Sequence, residues 1–91
     1  KAHFFLKKFV PQAELLIKEI TDAVKQQDSE TITFNAHKLK SSARAVGAEK
    51  LANIFEQLEQ ASKEENIKLI EQYFKYISEE MKKVSDYIKA L

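Results

Sequence analysis

Ile67-Lys68-Leu69-Ile70-Glu71-Gln72-Tyr73-Phe74-Lys75-Tyr76-Ile77-Ser78-Glu79-Glu80-Met81-Lys82-Lys83-Val84-Ser85-Asp86-Tyr87-Ile88-Lys89-Ala90-Leu91 carries the most regular pattern of the chain. Ile67, Ile70, Phe74, Ile77, Met81, Val84, Ile88 and Leu91 follow one another in steps of three and four without a miss. Side chains at those steps share one face of an α-helix. The stretch therefore predicts a helix over about 66–90 with a continuous apolar seam, about 35 Å long if straight at 1.5 Å per residue.

Working outward, Ser62-Lys63-Glu64-Glu65-Asn66 is a polar break. Before it, Ala48, Leu51, Ile54, Phe55, Leu58 and Ala61 give a second amphipathic pattern, over about 48–63. Gly47 stands where a helix ends in a left-handed residue, so a further helix runs over about 29–46. Asp28 or Ser29 suits its N-cap, and Glu30 suits the positive end of its dipole. Ala13, Leu16, Ile17, Ile20 and Val24 predict a helix over about 11–26, with Pro11 in its first turn. Ahead of it, residues 3–9 read as a short lead-in helix with Phe4, Phe5 and Phe9 on one face. Short connections between consecutive helices favour antiparallel neighbours. The expectation is an all-α single domain over residues 1–91, an up-down-up-down four-helix bundle with a short extra N-terminal helix.

Composition supports this and closes other routes. One glycine and one proline in 91 residues are too few for a sandwich or barrel. With no cysteine there is neither a disulfide framework nor a thiolate metal site, which suits a reducing compartment. His3 has no second ligand at metal spacing, and no pair of histidines lies one turn apart. A net charge of +1 and a basic run without interleaved aromatics argue against nucleic acid. No segment is long and apolar enough to span a bilayer. The tyrosines of the last helix, Tyr73, Tyr76 and Tyr87, read as half-buried packing. The chain begins with Lys1 rather than Met, and its complete bundle suits an excised piece of a longer protein.

The chemistry concentrates in Asn35-Ala36-His37-Lys38-Leu39-Lys40-Ser41-Ser42-Ala43-Arg44-Ala45-Val46-Gly47-Ala48, where three cations follow a histidine and no acid interrupts them. At about 100° per residue, Leu39, Val46, Ala43 and Ile32 fall about 180–240° from His37, on the core side. Lys40, Ser41, Arg44 and Thr33 lie within about 60° of it, and Phe34 falls near the edge of that face. A lone histidine or a lysine-rich helix face is most often simply solvated. Here an accessible imidazole, flanking cations and a small Ser41 coincide. Neutral imidazole has a lone pair that makes it a competent nucleophile near neutral pH. Lys40 and Arg44 are suited to hold phosphoryl oxygens. Phe34, Lys38 and Arg44 frame a surface on which a partner could dock.

From His37 to Ala48 the sequence resembles the signature of histidine-containing phosphotransfer (HPt) domains: histidine, any residue, an apolar residue, lysine, a small residue, two more small residues, two variable positions, an aliphatic residue, glycine and often alanine. Ala36, Leu51 and Leu58-Glu59 also fit. The resemblance implies a phosphorelay intermediate with no kinase activity of its own. His37 would be the phosphoacceptor, Lys40 the lysine that neutralises the phosphate, Ser41 the position kept small for the partner, and Gly47 the turn glycine. The partners implied are receiver domains, which supply Mg²⁺, so the chain needs no cofactor. A monomeric cytoplasmic domain without membrane contact is expected, standing alone or within a hybrid sensor kinase at the inner membrane. Where some members have a glutamine that hydrogen-bonds the histidine ring, this chain has Glu59, which reads equally as a ring partner or as a solvated helix-edge residue.

Other readings fit less well. A sensor-kinase dimerisation helix would put an acid directly after the histidine, where Lys38 stands. An acyl carrier would be strongly acidic. A plain helical adaptor would use the last seam for a partner, but a bundle needs that seam for its core.

Overall fold

The computed structural model describes the backbone of residues 2–91 and the side chains of residues 7–91. Four α-helices follow in order: α1 (Ala2–Gln26), α2 (Ser29–Ala45), α3 (Glu49–Lys63) and α4 (Ile67–Lys89). No strand occurs among the described residues. Each helix packs on its neighbours in the chain, and α1 closes the ring against α4. The α2–α3 pair is the most extensively packed. The body measures 38 × 18 × 17 Å. No helix among the described residues is long and apolar enough to cross a membrane.

Ile20, Ile32, Leu39, Leu51, Phe55, Leu58 and Ile77 lie in the middle of the core, each with almost no exposed surface. Burying a side chain of this size contributes about 1.5–3 kcal/mol. The α4 seam is buried at Ile70, Ile77, Met81 and Ile88 and half-buried at Phe74 and Val84. Its two ends, Ile67 and Leu91, are exposed, and Leu91 lies beyond the last residue of α4. Tyr73 is half-buried as expected, whereas Tyr76 and Tyr87 are exposed.

The expected break at Pro11 is absent. The segments read as separate helices, 3–9 and 11–26, form one helix with Pro11 inside it. Proline removes the N–H that would bond the carbonyl four residues back, that of Lys7. Lys7 and Pro11 are both exposed, so water can serve that carbonyl. Phe9, Val10, Ala13 and Leu16 are buried on both sides of the proline, and their packing holds the helix together. Phe4 and Phe5 lie outside the described side chains.

The helix ends explain the short connections. Asp28 caps α2 by accepting from the Thr31 N–H at 3.2 Å and from its hydroxyl at 2.6 Å. Asn66 caps α4 in the same way through the Leu69 N–H. After α2, the Gly47 N–H donates to the Arg44 carbonyl and the Ala48 N–H to the Ala43 carbonyl, with Gly47 at φ 82°. This is the left-handed closure expected of Gly47. After α1 and α3 the same pair of bonds recurs around Gln27 (φ 56°) and Glu65 (φ 54°), positions where no glycine relieves the backbone.

Candidate functional site

α2 turns Ile32, Ala36, Leu39 and Ala43 inward and leaves His37 outward with 60% of its side chain exposed. The helical projection therefore holds for this residue. Ser41, one turn on, is also exposed, and Thr33 is half-buried. Asn35 was not read from the sequence as a core residue. It is buried against α1, where its amide donates to Glu19 Oε1 at 2.8 Å. By the projection it falls on the core side, and a polar residue there signals a buried hydrogen bond.

Glu59 on α3 lies at the centre of the site. It is buried, with 10% of its side chain exposed, so its reading as a solvated edge residue is set aside. Its Oε2 lies 3.1 Å from Nδ1 of His37. Lys40 brings its ammonium to 2.9 Å from Oε1, as an ion pair rather than an aligned hydrogen bond, since Oε1 has no well-directed donor. Only 18% of the Lys40 side chain is exposed, so its stem lies along the protein while its head meets the carboxylate. Burial by itself raises the Glu59 carboxyl pKa. The Lys40 ammonium and the His37 ring outweigh burial and hold it below the ordinary value. Glu59 is thus an anion at neutral pH. An ionised carboxylate only accepts, so the proton between it and the ring sits on Nδ1, and in the neutral form of the ring the lone pair is then on Nε2.

Lys63, one turn after Glu59, reaches the same Oε2 at 3.5 Å. The sequence reading passed over it as part of the polar break, although the four-residue spacing from Glu59 is the usual one for a helical ion pair.

The residues expected at the docking surface divide. Phe34 is 64% exposed, and the Lys38 ammonium sits 5.2 Å from the centre of its ring, a cation–π contact. These two form a single patch beside His37. Arg44 is engaged with another residue: it donates to Glu56 Oε1 at 2.7 Å and lowers that carboxyl's pKa. Holding a phosphoryl oxygen would require it to leave Glu56.

Between α2 and α3 lies an open depression of about 450 Å³, lined among others by Thr33, Phe34, His37, Glu59 and Lys63. Its floor is tied by hydroxyls: Thr33 donates to Ser62 Oγ at 2.7 Å, and Ser62 donates to the Ser29 carbonyl at 2.8 Å. The whole forms an exposed imidazole with a fixed inner nitrogen, an outward nucleophilic nitrogen and cations close by. It can accept an electrophile from a surface that approaches across the depression.

Comparison with known proteins identifies the family and the fold. The model of the Hpt domain family matches residues 5–87. Among solved structures, the chain is similar in fold to histidine-containing phosphotransfer protein B of Pseudomonas aeruginosa PAO1, with a TM-score of 0.93 and 20% identity over 97% of this chain and 76% of that one. No curated protein sequence matches.

Proposed function

The chain belongs to the Hpt domain family, and on that premise we propose that His37 is its phosphoacceptor. In this reading it takes a phosphoryl group from a receiver-domain aspartate and passes it to another receiver. The observation that carries the proposal is the 3.1 Å contact between Nδ1 of an exposed His37 and the buried Glu59 carboxylate. That contact supports a ring whose Nε2 attacks phosphorus while Nδ1 keeps its proton against Glu59. The Nε2–P bond forms as the P–O bond of the donor's acyl phosphate breaks, and the donor aspartate leaves as a carboxylate. The ring becomes a cation, which Glu59 stabilises. Because the phosphoramidate is labile, the group can be passed on.

Lys40 offsets the charge that arrives with the phosphoryl group. Ser41 leaves room one turn away for the partner's surface, and Phe34 with Lys38 gives that surface an apolar contact. The two- and three-residue connections support an up-down-up-down topology for the bundle. The domain is a carrier without kinase activity, working in the cytoplasm as a monomer with receivers that bring their own Mg²⁺.

The test is intact-mass measurement after incubation with receiver domains that acetyl phosphate has phosphorylated. Wild type gains a phosphoryl group, and His37→Gln gains none while its circular dichroism stays that of wild type. Lys40→Ala slows transfer several-fold. Phosphorylation of His37→Gln at the wild-type rate would sink the assignment.

A further inference from the structure

We propose that Lys63 is a second phosphoryl-binding cation, resting on Glu59 while His37 is unmodified and moving to the phosphoryl oxygens when His37 carries the group. The inference rests on the reading of His37 as phosphoacceptor.

Three observations carry it. Lys63 and His37 share one carboxylate oxygen, at 3.5 and 3.1 Å, so the ammonium lies within a lysine side-chain length of the ring. Lys63 is held more loosely than Lys40, with a longer contact and 56% of its side chain exposed against 18%. It also lines the depression in front of His37, whose lining does not include Lys40. Both lysines border a second depression on Glu59, but of the two Lys63 alone also borders the one in front of His37, beside the entry route.

Charge counting gives the motion a cause. In the unmodified site two ammonium groups face one carboxylate, so one positive charge is in surplus. Transfer forms the Nε2–P bond, releases the donor carboxylate and makes the ring cationic, because Nδ1 keeps its proton. The phosphoryl oxygens bring up to two negative charges. The ring and Lys40 balance only two of the three negative charges then present, counting Glu59. Lys63 balances the third. A dianion also draws an ammonium more strongly than a carboxylate already shared with Lys40 and His37. Glu30 and Glu65, which line the same depression, increase the demand for a cation there.

The test uses the chain with phosphoramidate, a small donor that needs no receiver, followed by intact mass and ³¹P NMR. Wild type is expected to acquire one phosphohistidine at His37. In Lys63→Ala the protonation midpoint of the phosphoryl group should rise by about 0.2–0.7 pH unit, and its equilibrium occupancy should fall about two- to five-fold. Lys63→Met keeps the aliphatic stem and should behave like Lys63→Ala, which separates charge from packing. Lys63→Arg should stay near wild type, and Lys82→Ala on α4 should change nothing. A wild-type chain that takes no phosphoryl group at His37 overturns the phosphoacceptor reading and this inference with it. Phosphorylated wild type and Lys63→Met with the same midpoint and occupancy overturn this inference alone.

Discussion

Oε2 of Glu59 lies 3.1 Å from Nδ1 of His37, so a buried carboxylate on α3 orients an exposed ring on α2. Removing it should release the ring. In Glu59→Ala, ¹⁵N NMR of the imidazole should show loss of the preference for the Nδ1–H tautomer, and phosphorylation of His37 should slow. Stability in urea should fall by about 1–3 kcal/mol, because Lys40 loses its partner in a largely enclosed position. Glu59→Gln keeps an acceptor for Nδ1–H and should retain the tautomer. Identical imidazole spectra for wild type and Glu59→Ala would refute the orienting role.

The depressed pKa of Glu59 fixes the sign of a pH effect. Around its ordinary value of 4.5 the unfolded carboxyl takes up a proton that the folded one resists. The contribution is therefore fully present above about pH 4.5 and is lost as pH falls through the lower folded value. Asp28, through its bonds with Thr31, and Glu56, through Arg44, shift in the same direction at the water-screened surface. Comparing wild type with Glu59→Gln isolates the buried group. The gap between their urea midpoints should be widest near neutral pH and should narrow below about pH 4.5. A gap independent of pH would contradict the ion pair.

The left-handed residues that close α1 and α3 carry strain that glycine would not. Gln27→Gly and Glu65→Gly should each stabilise the fold by about 0.5–1 kcal/mol in chemical denaturation, after the entropy that glycine adds to the unfolded chain is offset. Gly47→Ala should destabilise by about 1 kcal/mol. At that position an added Cβ meets no atom within 4 Å, so the cost is purely backbone conformation.

Pro11→Ala restores the N–H that α1 lacks. The substitution should raise stability by about 1–2 kcal/mol, the helical gain being partly cancelled by a freer unfolded chain. The residue 11 amide should then exchange slowly with solvent. Rapid exchange with unchanged stability would place a real break in α1.

The sequence made the site helix legible because its information is local. The opposition of His37 to Leu39 and Val46 follows from helical geometry alone, and Gly47 marked the end of α2 by a rule that involves only neighbouring residues. Pro11 misled because the penalty for a helical proline depends on which face it occupies and on whether packing continues beyond it. Here Phe9 and Ala13 are buried on either side of it. Glu59 stayed ambiguous because its burial is settled by cations from two helices, and only the folded pairing of α2 with α3 brings Lys40 and His37 to it. Asn35 was hidden in the same way, since its partner Glu19 lies on α1.

Among the described residues, every ion-pair partner of Glu59 belongs to α2 or α3, the most closely packed pair, joined by a three-residue turn. Among the described residues, no ion pair joins α1 or α4 to Glu59. The protein therefore has two kinds of surface with different tolerance to mutation. The outer faces of α1 and α4, where Leu15, Tyr76 and Tyr87 are exposed, can be rewritten to suit a new neighbour without disturbing the carboxylate. The positions of α2 and α3 that meet at Glu59 are coupled through one carboxylate, so a change of charge at any of them falls on the others.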